Sequence, residues 1–212
     1  RDRSPSRGLG DVYKRQTGHR LDARGPRHEF LQHLAEISIA AHHDSRNNGA
    51  ANRVLTFVPG VREAERVTQL IQERGIAAAA LHGSLTLQQQ QRVLEQGPGG
   101  DVIVATTIAE SSLTVPGVRT VVDSGLARES RIDSTRGLAE LVTVPASKAA
   151  AVQRAGRAAR LGPGTVYRCY DHTTWGAMPP HPLPEIATSD FAQAALTLAA
   201  WLSLIHISEP TR

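Results

Sequence analysis

The stretch "DVIVATTIAESSLTV", residues 101–115, contains the clearest buried strand of the chain and the polar segment that follows it. From Val102 to Ala105 the residues are continuously apolar, which is typical of a parallel strand covered on both faces. From Thr106 to Thr114, five of nine residues carry a hydroxyl group. Because open parallel sheets bind ligands at the carboxyl ends of their strands, this segment is a candidate phosphate contact. A set of helix caps and turn residues is the alternative interpretation.

Apolar runs of strand length recur on both sides of this stretch, and amphipathic runs of helical period separate them. Such an alternation predicts an α/β fold in which a mostly parallel sheet carries helices on both faces. The segment 128–144 predicts a short β-hairpin that turns at Arg136 and Gly137. The further predicted strands are "RVLTFV" (53–58), "IAAAAL" (76–81), "VRTVVD" (118–123) and "GTVYRCY" (164–170), and the predicted helices are 27–43, 61–74, 86–96, 151–160 and 189–202.

The composition restricts the class of protein. The 212 residues are 40% hydrophobic but only 4% aromatic, so the core must consist mainly of aliphatic side chains. Cys169 is the single cysteine, which excludes a disulfide framework and a cysteine-based zinc site, and we predict no metal ligands in this chain. No apolar run approaches the roughly 20 residues that span a bilayer. We therefore expect a cytoplasmic protein that has no membrane partner.

The two ends of the chain differ from the rest. Residues 1–16 and 203–212 show neither a helical nor a strand period, and both resemble translated sequencing-adapter sequence, so we leave them out of the fold prediction. Residues 1–16 carry three of the four net positive charges, and the remainder therefore has a net charge of about +1. A prediction of nucleic-acid binding must then rest on particular residues and not on bulk charge.

The run "AVQRAGRAAR", residues 151–160, places Arg154, Arg157 and Arg160 at intervals of three among small residues. On a helix this spacing forms one stripe about 120° wide. Guanidinium groups are permanently charged and fork-shaped, which suits them to bind a phosphoryl group. Gly156 in the middle of the run predicts that another group approaches the backbone closely. A solvated helix face is the alternative interpretation.

Four segments together resemble one family of proteins. "QRAGRAAR" (153–160) is similar to motif VI of DEAH-box superfamily 2 RNA helicases, and "ATTIAESSLTV" (105–115) is similar to their motif V. "VLTFVPG" (54–60) resembles motif IV, and "LHGSL" (81–85) resembles a short turn that contacts RNA. The resemblance extends over about residues 53–202, and it is greatest for the bacterial HrpB-type subgroup.

This resemblance implies a fold, a set of site residues and two partners. The fold would be the second RecA-like domain, of the P-loop NTPase superfamily, in an ATP-dependent RNA helicase that unwinds or remodels RNA. Its partners would be the RNA backbone and the first RecA-like domain, which would hold the Mg²⁺ that accompanies ATP. The implied ATP-binding residues are Gln153, Arg157, Arg160, Ser112 and Thr114, of which Arg157 and Arg160 would be catalytic arginine fingers; the implied RNA-binding residues are Thr106, Gly60, Gly83 and Ser84.

The sequence contains neither G-x-x-x-x-G-K-[ST] nor an Asp-Glu-x-His run, so we expect the isolated chain not to hydrolyse ATP. We assign residues 17–184 to the RecA-like helicase C-terminal domain and residues 185–202 to the start of a truncated helical or winged-helix domain. Two alternatives stay open at this point: a non-catalytic nucleic-acid-binding adaptor with the same fold, and a DNA-directed superfamily 2 motor.

Overall fold

The computed structural model describes residues 9–13, 28–47, 53–95, 102–111, 113–133, 138–160, 162–183 and 192–207. In these ranges strands and helices alternate along most of the chain. The strands are β1 (Leu9–Tyr13), β2 (Arg53–Phe57), β3 (Ala78–Leu81), β4 (Val102–Ala105), β5 (Val118–Asp123), β6 (Leu126–Asp133), β7 (Leu138–Pro145) and β8 (Gly164–Arg168). The helices are α1 (His28–Asn47), α2 (Val61–Gln72), α3 (Leu87–Glu95), α4 (Ile108–Ser111), α5 (Lys148–Gly156), α6 (His172–Ala177) and α7 (Ala192–Ile207).

Six strands form one sheet in the order β1-β8-β5-β2-β4-β3, and each neighbouring pair is parallel. β2 lies near the centre, where Val54 is opposite Val102 of β4 and Thr120 of β5. β6 and β7 form a separate two-stranded antiparallel sheet. The predicted α/β fold with a mostly parallel sheet and a short hairpin is confirmed.

The sheet separates two apolar layers because successive side chains of a strand point to opposite faces. Val54 of β2 packs in the layer that α1 and α2 cover. The neighbouring Leu55 packs in the opposite layer with Ala109 of α4 and Ala155 of α5. Apolar residues on both faces of the central strands explain why these runs are continuous in the sequence and do not alternate.

Three features of the fold differ from the sequence-based expectation. The last helix, predicted to end at residue 202, continues to Ile207, so α7 enters the tract 203–212 that was expected to hold no helix. The arginine helix α5 ends at Gly156, so Arg157 and Arg160 lie in the turn beyond it. The tract 1–16, expected to hold no strand, contains β1, which pairs in parallel with β8 at the edge of the sheet. Whether this tract is foreign to the native protein stays a prediction.

The described chain divides into two compact units. The larger unit comprises residues 1–128 and 143–182 and contains the six-stranded sheet. The smaller unit comprises residues 129–142 and 183–212 and contains α7, where Leu196, Leu198 and Trp201 are exposed. Among the described helices, none has the length and apolar character needed to cross a membrane. The predicted domain boundaries stay predictions.

Candidate functional site

The carboxyl ends of the parallel strands lie at one edge of the sheet, and most of the residues predicted to contact ligands follow them. Gly60 lies beyond β2, Gly83 and Ser84 lie beyond β3, and Thr106 directly follows β4. Asp123, which was not among the predicted site residues, ends β5 at the same edge. Parallel strands therefore collect residues that are far apart in the sequence.

Helix α5 begins at this edge with a well-satisfied N-terminus. The Ser147 hydroxyl accepts a hydrogen bond from the Ala150 N–H at 3.1 Å, as a helix cap does. The N–H groups of Lys148 and Ala149 donate to the carbonyl groups of Pro179 and Pro180, which lie in the proline-rich segment after α6. This N-terminus is consequently occupied by the protein's own acceptors.

Small residues allow α5 and the turn after it to lie close to the sheet. Ala151, Ala155 and Ala158 are buried at 5% exposure or less. At Gly164, the first residue of β8, an added Cβ would lie 2.3 Å from the Ala158 carbonyl oxygen, so only glycine fits. No group of the described chain makes the close approach predicted at Gly156, because that residue is exposed and an added Cβ would lie more than 4 Å from every neighbour that the structure describes.

Arg154, the first arginine of the run, is a core residue with 1% of its surface exposed. Its Nε donates to Glu110 Oε1 at 2.6 Å, and its Nη1 donates to Asp123 Oδ1 at 2.8 Å. The guanidinium also stacks over the Phe57 ring, 5.4 Å from the ring centre. Burial by itself would lower the pKa of Arg154, but the two carboxylates raise it above its usual value.

Asp123 connects Arg154 to a second set of buried groups. Tyr170 donates its hydroxyl to Asp123 Oδ2 at 3.2 Å, and Arg168 Nη1 donates to the Tyr170 hydroxyl at 3.0 Å. The Gly125 N–H donates to Asp123 Oδ1 with φ at +72°, and a Cβ there would lie 2.4 Å from the Tyr170 ring. Burial raises the pKa of Tyr170, and the adjacent Asp123 carboxylate raises it further.

Arg157 lies in the turn beyond α5 and is held by backbone carbonyl groups. Its Nη1 donates to the Leu113 carbonyl at 3.0 Å, and its Nη2 donates to the Glu110 carbonyl. Burial lowers the pKa of Arg157, and the positive charge of Arg160 lowers it further. The two guanidinium groups are therefore close enough to repel each other.

Arg160 is exposed, and its Nη1 donates to the Thr114 hydroxyl at 2.9 Å. Among the described residues, neither Arg157 nor Arg160 forms an ion pair with a carboxylate. The carboxylates of Glu110 and Asp123 are both bonded to Arg154, and the described residues hold no group of three or more His, Cys, Asp or Glu side chains that could bind a metal ion. The ligand-binding groups around Arg157 and Arg160 are cations and a hydroxyl. Such a set of donors fits a phosphate group.

The remaining predicted site residues occupy different environments. Gln153 is exposed on α5, whereas Ser112 lies outside the described residues. Gly83 and Ser84 are exposed, but Thr106 is only 8% exposed. Gly60 is buried where an added Cβ would meet the ion pair between Glu63 and Arg128, whose N–O distance is 3.1 Å. The structure thus brings Arg157, Arg160 and Thr114 together and leaves Gly60 without a free surface.

Comparison with known proteins gives consistent matches. Residues 26–162 match the helicase conserved C-terminal domain family. ATP-dependent RNA helicase HrpB of Escherichia coli is 37% identical over 153 residues, which cover 70% of this chain and 19% of that protein. Pre-mRNA-splicing factor ATP-dependent RNA helicase DEAH10 of Arabidopsis thaliana is 37% identical over 158 residues, which cover 69% of this chain and 22% of that protein. A crystal structure of E. coli DExH-box NTPase HrpB superposes with a TM-score of 0.75 at 31% identity, covering 92% of this chain and 23% of that chain.

The fold and the matched residues define the class of protein. The chain belongs to the helicase conserved C-terminal domain family, and its relatives are DEAH-box RNA helicases, HrpB among them. The resemblance drawn from the four sequence motifs is confirmed. The chain spans about a fifth of the length of the two curated relatives described above.

Proposed function

We propose that this chain is the C-terminal lobe of an ATP-dependent RNA helicase and that Arg157 and Arg160 are its arginine fingers. In this proposal ATP is bound mainly by a first lobe, and the two guanidinium groups meet its terminal phosphate from the opposite side. The relatives are named ATP-dependent RNA helicases, which supports the proposal. A cytoplasmic location belongs to the same proposal.

The observation that carries the proposal is the pair of neighbouring cations. Arg160 is exposed and hydrogen-bonded to a neutral hydroxyl, while Arg157 is held by carbonyl groups and repelled by Arg160. Two like charges held side by side disfavour each other until an anion approaches both. A phosphoryl group that gains negative charge as its bond breaks would relieve that repulsion, and fixed guanidinium groups would stabilise it electrostatically.

Two other predicted nucleotide contacts, Gln153 and Thr114, support the proposal. Gln153 is exposed on the last turns of α5, and Thr114 fixes the Arg160 guanidinium through its hydroxyl. Mg²⁺ bound by the first lobe would neutralise charge on the phosphates. The part played by this chain is to present two positive charges in fixed positions.

RNA would bind at the carboxyl edge of the sheet through its phosphate backbone. Gly83 and Ser84 are exposed in the turn after β3, and an added Cβ at Gly83 would have no neighbour within 4 Å, so a strand could approach this turn closely. Thr106 could contribute through the limited surface it exposes. The buried position of Gly60 makes a direct contact the least supported of the four. Backbone contacts would make RNA binding tolerant of sequence and sensitive to salt.

The proposal is tested by replacing Arg160 in a full-length helicase that carries this domain. Arg160→Ala should lower RNA-stimulated ATP hydrolysis by about 10³- to 10⁵-fold, because an arginine finger acts mainly in the transition state. RNA affinity should stay within about twofold. Arg74→Ala is the matched control, because Arg74 is exposed in the turn just after α2. Unchanged hydrolysis in Arg160→Ala, with RNA binding intact, would mean that the arginine-finger assignment of Arg160 is wrong.

Two further measurements separate the remaining alternatives. The isolated chain should not hydrolyse ATP at an enzymatic rate, since its sequence has no phosphate-binding loop. Stimulation of the full-length ATPase by DNA as strongly as by RNA would indicate a DNA-directed motor.

A further inference from the structure

Three charged side chains meet in the protein interior beside the proposed arginine fingers. Arg154, Glu110 and Asp123, which we call the Arg154 cluster, join α5, α4 and the end of β5. Asp123 and Arg154 are at most 2% exposed at their side chains, and Glu110 is 13% exposed. Two anions and one cation are buried together, so removal of any one member leaves the others imperfectly paired.

Glu110 belongs to the cluster and also to the surface that holds the fingers. Its side chain accepts from Arg154, whereas its backbone carbonyl accepts from Arg157. Three and four residues further along, the Leu113 carbonyl and the Thr114 hydroxyl accept from Arg157 and Arg160. Arg157 is only 6% exposed, whereas Arg160 is exposed. The segment that holds both arginines is therefore linked to α5 through Arg154.

We propose that Arg154 is a positioning residue for the Arg157 and Arg160 guanidinium groups. Asp123 holds Arg154 in place, and Arg154 in turn holds Glu110, which lies in the segment whose carbonyl and hydroxyl groups bind those two arginines. This inference rests on the proposed role of those two arginines in ATP hydrolysis. Arg154 itself does not reach the nucleotide, because its guanidinium is buried under Phe57 and bonded to two carboxylates.

The kinetic test uses charge-neutralising variants of the cluster in a full-length helicase. Glu110→Gln keeps the shape of the side chain but weakens its bond to Arg154, and it should lower kcat by about 10- to 100-fold, the loss that a misplacement near 1 Å can produce. KM for ATP and the affinity for RNA should stay within about twofold. Glu73→Gln, exposed at the end of α2, is the matched control and should behave as wild type.

Conservative variants distinguish positioning from a general loss of structure. Arg154→Lys keeps the charge but cannot bond both carboxylates in the same geometry, so kcat should again fall while KM is retained. In an Arg160→Lys background, the loss caused by Glu110→Gln should be smaller than in wild type, because the guanidinium whose position depends on the Arg154 cluster has already been replaced. Full additivity, or an unchanged kcat in both cluster variants while Arg160→Ala is inactive, would overturn the inference and leave the proposed function standing.

A second measurement needs no ATP hydrolysis and is made on this chain. Nuclear magnetic resonance of the arginine Nε–H groups should show Arg154 rigid and slowly exchanging in the wild type. Glu110→Gln should increase the mobility of the Arg157 and Arg160 guanidinium groups while the backbone spectrum of the β-sheet is retained. Unchanged mobility in that variant would overturn the inference even if the fingers themselves are confirmed.

Discussion

Arg154 and Arg160 are two residues of one type, six positions apart, in opposite environments. Arg154 is 1% exposed and bonded to two carboxylates, whereas Arg160 is exposed and bonded to one hydroxyl. A buried charge must be neutralised within the fold, and Glu110 and Asp123 neutralise the charge of Arg154. An exposed cation that adjoins a second cation has unused capacity to bind an anion. The difference indicates that the first arginine of the run stabilises the domain and the last one serves a ligand.

The largest expected difference between Arg154 and Arg160 is the effect of their substitution on the free energy of unfolding. Arg154→Met should lower the free energy of unfolding by about 3–5 kcal/mol, because Glu110 and Asp123 would stay buried without their cation. Arg160→Ala should change it by no more than about 0.5 kcal/mol, as is usual for an exposed side chain. Urea denaturation of both variants measures the two values. Equal effects of the two substitutions would contradict the division of roles.

The glycines of this region provide a second matched pair. Gly164→Ala should destabilise the domain by about 1–3 kcal/mol, because its Cβ would overlap the Ala158 carbonyl at the turn that carries Arg157 and Arg160. Gly156→Ala, where the space is open, should be neutral or stabilising by up to about 1 kcal/mol. Thermal unfolding would measure both changes. A destabilising Gly156→Ala would mean that α5 is packed more tightly than the structure shows.

Tyr170, which is buried beside Asp123, should make the free energy of unfolding depend on pH in the alkaline range. The pKa of Tyr170 is raised in the folded state, so its neutral hydroxyl stabilises the fold below the unfolded pKa near 10. Above that pH the unfolded chain loses the proton first, and stability should fall by about 1.4 kcal/mol per pH unit from this group. Tyr170→Phe should make the decline in unfolding free energy shallower. An unchanged slope would indicate that the hydroxyl is hydrated in the fold.

Much of the fold could be predicted from the sequence because its signals are local. The apolar run before Thr106 and the similar run from Arg53 to Val58 mark central strands, whose two buried faces require continuous apolar residues. The strand β1 could not be predicted, because residues 1–16 show no strand period and resemble translated sequencing-adapter sequence. The end of α5 was placed too late, although Gly156 is a residue type that commonly follows the last turn of a helix.

The separate roles of the arginines could not be predicted because they depend on distant partners. Asp123 and Glu110 lie 31 and 44 residues before Arg154 in the sequence, and periodicity gives no sign of either contact. The spacing of the three arginines predicts that they share one face of a helix. It does not predict which groups of the fold each guanidinium contacts. Asp123 at the end of a buried strand was the one signal that an acid lies at this edge of the sheet.

The most direct test is a crystal structure of a full-length helicase carrying this domain, bound to ADP and aluminium fluoride as a mimic of the phosphoryl group in flight. We expect guanidinium nitrogens of Arg157 and Arg160 within about 2.7–3.2 Å of the fluoride atoms, the range of a normal hydrogen bond. Arg154 should still be bonded to Glu110 and Asp123. A structure in which Arg160 points into solvent while Arg154 has left its carboxylates to reach the mimic would contradict the account.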